Sequence, residues 1–586
     1  MKFLRNLLAA IIGCLIAFGI VFVMFLIFAS LVGSMEDGVN IKGNSILELR
    51  MERPIKDYVG SDPADPLSGF FDEYQGLDDI LEAIASAKED PKIKGISISN
   101  NFMMAGLAQT QAVRKELAKF KESGKFVHAF GDFYMQKDYY LATVADSVFL
   151  NPVGGMDFRG LSSEVLFFKD LQEKTGIKME VIRHGKYKSA VEPFLANEMS
   201  DANRTQIKEL LSSLWSTMVA DISLSRGMMP ETVNRIADTL GGRTPEYALN
   251  NGLIDGILHF DQYEAGLRKA IGVGSDADIN YVALKEYIGS PGLKGKRSGK
   301  DKVAVIFAQG EIVYGEGGPD AIGQGIINEA LAKARDNKSV KAIVLRVDSP
   351  GGSALTSDII WREIALAKEK KPVVVSMGNV AASGGYYIAC GADKILAEAT
   401  TVTGSIGVFG VIPNVSELSK DIGINAEQVG TNLNSVHYSV FEPMTDHFRN
   451  VTREGVEDIY DIFLQRVAQG RGISVARADS LGQGRVWSGA DAQRMGLVDQ
   501  LGTLDDAIEV AAELAEITEY GIKKYPKYKS GFERFMEDFG GAGTRIKNTI
   551  IQEEIGTENY ALWQKISDAV KQKGIQARMP FLMDIK

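Results

Sequence analysis

The sequence repeats itself. Displaced by 247 positions, residues 94–177 fall on residues 341–424 without a gap. Lys94-Gly-Ile meets Lys341-Ala-Ile, Tyr139-Tyr140 meets Tyr386-Tyr387, and Ala145-Asp146 meets Ala392-Asp393. Glu116, Ala118, Lys121 and Glu122 meet Glu363, Ala365, Lys368 and Glu369. Farther on, Asn251-Gly-Leu-Ile-Asp255 matches Met495-Gly-Leu-Val-Asp499 with a small shift. One register held over so many residues reads as a duplicated domain. The expected organisation is an N-terminal segment over 1–35, a first copy over 36–289, a linker over 290–302, a second copy over 303–515 and an extension over 516–586. The linker is polar, basic and glycine-containing, with no apolar period. The extension has helical-looking stretches such as 560–570, to which the sequence attaches no function.

Within each copy, short β-branched runs alternate with helical patterns. Val303–Phe307, Ala342–Val347 and Val373–Met377 read as strands, and Ser357–Lys370 carries apolar residues at helical spacing. That alternation predicts an α/β fold of parallel βαβ units.

The first 35 residues are of another kind. From Asn6 to Met35 there is no charge, and Leu, Ile, Val, Phe, Met and Ala dominate. About 20 apolar residues cross a bilayer as a helix. A cleaved signal peptide has an apolar core of about 7–15 residues, roughly half of this one. The segment is therefore expected to be an uncleaved transmembrane anchor. Lys2 and Arg5 precede it and Glu36 and Asp37 follow, which puts the N-terminus inside and the body outside. Cys14 lies within the anchor and cannot pair with Cys390.

Charge and composition narrow the function. Sixty-five basic and 76 acidic residues give a net charge of -11. Nucleic acid, which needs a basic surface, is not expected as a partner. Two cysteines and five histidines exclude a disulfide scaffold and argue against a zinc site.

Three glycine-rich corners mark the second copy: Asp348-Ser-Pro-Gly-Gly-Ser353, Ala381-Ala-Ser-Gly-Gly-Tyr386 and Thr403-Gly-Ser-Ile-Gly407. Taken singly, a Gly-Gly pair after a strand is more often only a tight turn. Adjacent glycines also let backbone N–H groups approach a ligand. Ser383 would stand where a strand ends and a helix (386–392) begins, a setting that favours a developing oxyanion. The first copy has Gln136, Lys137 and Asp138 at the positions of Ser383, Gly384 and Gly385, and Phe102-Met-Met-Ala105 in place of the Pro-Gly-Gly corner. A nucleophilic serine therefore belongs to the second copy. It needs a base. His184 and His437 are weak candidates, and a lysine serves if burial lowers its pKa. The residues alone do not choose which lysine. Cys390, seven residues after Ser383, is expected to be a buried packing residue.

These corners, together with Tyr187-Lys-Ser-Ala-Val-Glu-Pro193, resemble the signal peptide peptidase A (protease IV) family in its long, two-domain bacterial form. The resemblance spans nearly the whole body and the anchor. It implies tandem Clp protease/crotonase-like domains and a membrane-anchored serine protease with a Ser/Lys dyad. Its nucleophile maps onto Ser383, its general base onto Lys188, and the serine that orients the lysine onto Ser405. The oxyanion donors map onto Gly384 and the Gly351-Gly352 corner. Lys186 is the nearest rival base, because residues two apart on an extended strand share a face. Near the counterpart of Lys188 the second copy has Ser435, so each copy would hold half of the dyad. The resemblance further implies cleaved signal peptides as substrates, no metal or organic cofactor, a homotetramer, and a bacterial inner membrane location with the body periplasmic. Two rivals are a crotonase-like acyl-CoA enzyme and a non-catalytic membrane scaffold.

Overall fold

The computed structural model describes residues 2–35, 41–60, 74–100, 102–290, 299–432, 434–435, 438–528 and 575–579. The flanking Glu36 and Asp37, His437, the 560–570 stretch and most of the expected linker lie outside the described residues.

Two sheets carry the body. The first is wholly parallel, in the order Gly256–Ile257, Ser147–Met156, Phe126–Tyr134, Ile93–Ile98, Ser45–Leu49, Asn280–Ala283. The second runs Val486–Ser488, Val402–Gly404, Val373–Ala382, Val340–Ser349, Asp301–Gln309, Tyr520–Tyr525. It is parallel except at Val402–Gly404 against Val486–Ser488. Parallel neighbours need a crossover, usually a helix. Leu77–Glu89 and Leu107–Lys121 serve the first sheet, and Gln324–Asp336 and Ala354–Lys368 the second. The central strands are buried on both faces, which is why they read as unbroken apolar runs. Each expected strand is present and extends two or more residues beyond the apolar run at one or both ends.

Similar contacts recur in both halves. Tyr139 Oη donates to the Leu253 carbonyl at 2.8 Å, and Tyr386 Oη to the Leu497 carbonyl at 2.9 Å. Asp146 accepts from Val127 N and Asp393 from Val373 N, each at 2.8 Å. Arg226 pairs with Asp255 at 2.9 Å, and Arg471 with Asp499 at 2.8 Å.

The halves are joined by buried polar contacts. Arg346 and Asp57, both buried, meet at 2.6 Å. Lys115 reaches the buried Glu398 at 2.5 Å, and Gln109 N donates to Asn379 at 3.1 Å.

A third sheet crosses between the halves. Its order is Ala321–Gly323, Glu311–Val313, Gly351–Ser353, Ile575–Arg578, Phe409–Asn414, Lys178–Arg183. Lys178–Arg183, from the first half, runs antiparallel to Phe409–Asn414 of the second, with Arg183 opposite Phe409. At the N-terminus, Lys2–Met35 is one helix, and its Arg5–Ile27 stretch is long and apolar enough to cross a membrane. None of that stretch is buried against the body.

Candidate active site

Three chain segments converge at the end of the second sheet. The first is the turn after Val373–Ala382, where Ser383 precedes a short helix, Gly384–Ala389. Ser383 has φ 54° and ψ −113°, a conformation L-residues rarely adopt. Such backbone costs about 1–3 kcal/mol and persists only where its surroundings enforce it. Here Ser383 N donates to the Gly404 carbonyl at 2.8 Å, and Tyr387 N donates to the Ser383 carbonyl at 2.8 Å. The glycines that follow leave no alternative, since a methyl on Gly385 would come within 2.7 Å of the Ser349 carbonyl oxygen.

The second segment carries Ser405, again at positive φ (51°), with its N–H on the Arg485 carbonyl at 2.6 Å. The third leaves the third sheet at Arg183 and carries Lys188 inward. Tyr187 N donates to the Gln483 carbonyl at 2.8 Å, and Arg183 donates to the Lys188 carbonyl at 3.3 Å. Gly484 lies so close that a methyl there would be 2.6 Å from the Lys188 backbone nitrogen.

Lys188 is fully buried. Its Nζ lies 2.8 Å from Ser383 Oγ, 2.9 Å from Ser405 Oγ and 3.1 Å from the Ser405 carbonyl oxygen. The Phe409 ring centre is 5.8 Å away. Burial alone pushes the Lys188 amine well below its ordinary range, with no carboxylate opposing the shift. A neutral amine has two N–H donors and one lone pair. Ser405 can take both donors, which leaves the lone pair for the Ser383 hydroxyl. All three side chains meet within one chain.

The Gly351-Gly352 corner closes the site. Gly351 has φ +99° and Gly352 φ +150°, and a methyl on Gly351 would lie 2.8 Å from Gly384 N. The residues expected from sequence (Ser383, Lys188, Ser405, Gly351, Gly352 and Gly384) are thus brought together. The rivals are not. His184 stacks on Tyr460, ring centres 4.3 Å apart. Lys186 is exposed, its ammonium above the Tyr187 ring. The premise that Lys186 and Lys188 share one face of an extended strand fails, because the strand ends at Arg183 and 186–187 form a turn. Ser435 is exposed. Cys390 is buried, its Sγ on the Tyr387 carbonyl at 3.1 Å, and burial pushes the thiol up to about 12. No group of three His, Cys, Asp or Glu side chains placed to hold a metal occurs among the described residues.

Sequence reasoning missed Gln483-Gly484, on which the Lys188 loop rests. Gly484 lies in a Gly-Gln-Gly run (482–484), a turn signal without any mark of chemistry.

The profile of Peptidase family S49 matches this sequence twice, over residues 119–274 and 365–518. Protease 4 of Haemophilus influenzae is 38% identical over 446 residues, covering 74% of this chain and 72% of its own. The chain belongs to peptidase family S49. Protease 4 of Salmonella typhi is also 38% identical, covering 80% of this chain and 76% of its own. The chloroplastic serine protease SPPA of Arabidopsis thaliana is 33% identical, covering 78% and 68%. Among solved structures, a ClpP1 mutant from Listeria monocytogenes is a distant likeness, with 14% identity, TM-score 0.25, and coverage of 35% of this chain and 94% of that one. As a member of this family the chain is a serine protease and a hydrolase.

Proposed function

We propose that the protein is a membrane-anchored endopeptidase in which Ser383 is the nucleophile and Lys188 the general base. The observation that carries this reading is the 2.8 Å separation of Ser383 Oγ and Lys188 Nζ, with the amine fully buried and no carboxylate acting on it. Neutral Lys188 takes the hydroxyl proton as Ser383 adds to a peptide carbonyl. Ser405 holds the amine in position and adds no charge. Backbone N–H groups of Gly384 and the Gly351-Gly352 corner face the developing oxyanion. Lys188, now ammonium, protonates the leaving amine, and then activates the water that hydrolyses the acyl-enzyme. Burial favours this cycle because it lowers the amine's pKa well below that of a solvated lysine, about 10.4, and so favours the uncharged, basic form.

The two family matches and the recurring contacts favour tandem Clp protease/crotonase-like copies over 36–289 and 303–515, joined by the linker at 290–302, with 516–586 as an extension. In this reading the first copy supplies Lys188 and the second Ser383. The apolar N-terminal helix favours a single-pass anchor in the inner membrane, N-terminus cytoplasmic and body periplasmic. Cleaved signal peptides and other apolar peptides left at the bilayer are the substrates this arrangement suits, and a homotetramer is its assembly.

Ser383→Ala and Lys188→Ala should each abolish peptide cleavage, and the double variant should be hardly worse than either, because the pair acts as a unit. Substantial activity in Lys188→Ala would put the base elsewhere.

A further inference from the structure

The motif Tyr187–Pro193 holds more than the lysine. Ser189 and Glu192 are buried, and the cycle above uses neither. Ser189 Oγ donates to the Tyr187 carbonyl at 3.2 Å, and Glu192 accepts from Asn203 Nδ2 at 2.6 Å. Asn203 stands in the first turn of the helix Asp201–Arg226, three residues before Gln206. Gln206 is 1% exposed, and its carboxamide bridges two chain segments. Nε2 donates to the Tyr187 carbonyl at 3.2 Å, and Oε1 accepts from Val486 N at 3.1 Å. Only this orientation works, because the reverse would set N–H against N–H and oxygen against oxygen.

Both ends of the bridge lie at the candidate site. The Tyr187 carbonyl belongs to the peptide unit that contains Lys188 N. At the other end, Val486–Ser488 is the last strand of the second sheet, so Val486 N would be an open donor at its edge. That N–H belongs to the same peptide unit as the Arg485 carbonyl, which takes Ser405 N at 2.6 Å. Val486 also stands opposite Gly404, whose carbonyl takes Ser383 N at 2.8 Å. One side chain of the first half thus ties the backbone of the lysine to the backbone that seats both serines.

The repeat supplies a contrast. Asp201–Arg226 and Asp446–Arg471 are both 26-residue helices, each with a Ser or Thr cap before it and a left-handed glycine after it. Aligned end to end, they put Val451, 47% exposed, where the first has Gln206. A helix of this kind does not need the glutamine in order to form. The half that carries the lysine has it.

We propose that Gln206 is a positioning residue for the proteolytic reaction: its carboxamide fixes the Lys188 peptide and the Ser405 peptide relative to each other, so that the amine meets both hydroxyls at once. The proposal rests on the Ser/Lys reading above and deepens it. The amine and the hydroxyls come from different halves, and a displacement of about 1 Å between them costs on the order of 10²-fold in rate. The ionisable groups around Gln206 are Lys188, Glu192, held by Asn203, and Glu209, paired with Arg485.

Kinetics of the full chain, purified in detergent, on a reporter peptide test the assignment. Gln206→Met keeps the length of the side chain and removes both hydrogen bonds. Its kcat should fall about 10²-fold with KM within about twofold, whereas Val451→Met, at the matching place, should leave both unchanged. Gln206→Glu gives a second readout that does not depend on Gln206→Met folding. A protonated carboxyl reproduces both hydrogen bonds, and an ionised one sets oxygen against the Tyr187 carbonyl. In the unaltered chain the rate should rise with pH as Lys188 loses its proton. In Gln206→Glu it should pass through a maximum and fall again as the new carboxyl ionises, with the far-ultraviolet circular dichroism unchanged across the fall. Unaltered kcat in Gln206→Met, or a change in KM alone, overturns the assignment. So does a Gln206→Glu profile that only rises. If Lys188→Ala stays active, the Ser/Lys reading itself fails; if Lys188→Ala is inactive and Gln206→Met is unimpaired, only the positioning role falls.

Discussion

Two strand-to-helix corners, one in each half, occupy matching places in their sheets and differ in what they expose. In the first half, Phe126–Tyr134 leads through Met135, at an ordinary φ of −67°, into the helix Gln136–Ala142. In the second, Val373–Ala382 leads through Ser383, at φ 54°, into Gly384–Ala389. Relative to the 247-residue register, the first helix starts one residue early. The Gln136 carboxamide then turns inward, accepting from Arg159 N and Gly160 N at 3.1 and 2.8 Å and donating to the Gly160 carbonyl at 2.9 Å. Lys137 donates to the Ala105 carbonyl, and Asp138 accepts from Met103 N. The first corner spends its polar groups on its own loops. The second, lined by glycines, holds a strained serine against a buried amine. One scaffold therefore gives a structural joint or the corner that holds the proposed nucleophile, depending on whether the residues after the turn carry Cβ atoms.

The sharpest way to break this comparison is at the amine. Lys188→Met keeps the stem and removes the base, so kcat/KM should fall by about 10²–10⁴-fold. The same variant should melt at a higher temperature. The folded pKa of Lys188 lies below its unfolded value of about 10.4, so the unfolded chain binds more protons, and stability is lost as pH falls from about 10.4 toward the folded pKa. At neutral pH that loss is present, and Met removes it. Calorimetry showing a lower Tm would mean that the hydrogen bonds to Ser383 and Ser405 outweigh the desolvation of the amine, against this account.

Gly484→Ala probes how closely the lysine must be placed. The new methyl meets the Lys188 backbone, and the residue must keep φ +79°. A displacement of about 1 Å at a catalytic group costs on the order of 10²-fold, so kcat should drop by that much with KM little changed. Equal activity would mean that the Lys188 loop does not depend on this contact. The smallest effect is expected at the first corner. Gln136→Ala should leave kcat unchanged and lower stability by about 1 kcal/mol, the net worth of hydrogen bonds to partly exposed backbone, measurable by denaturant unfolding.

The sequence made the second corner legible because its signals are local. Ser383, Gly384 and Gly385 are consecutive, and the repeat supplies Gln136-Lys137-Asp138 as an internal contrast. Lys188 was legible only through family resemblance. Its environment depends on pairing between Lys178–Arg183 and Phe409–Asn414, more than 200 residues apart, and burial created by such pairing leaves no periodic trace around the lysine. Local reading even misassigned its setting as extended strand. The strand Ile575–Arg578 left no sign either, since four residues with one β-branched side chain make no pattern, and their conformation is imposed by the two edges they bridge.

The central claim is that Lys188 is an uncharged base for Ser383. The rate of Ser383 acylation by a fluorophosphonate, followed against pH in the full chain and in Lys188→Ala, tests it most directly. A single ionisation well below about 10.4, with rate rising as the proton leaves and the dependence vanishing in Lys188→Ala, is the predicted result. An inflection near the ordinary lysine value, or the same profile in the variant, would contradict it.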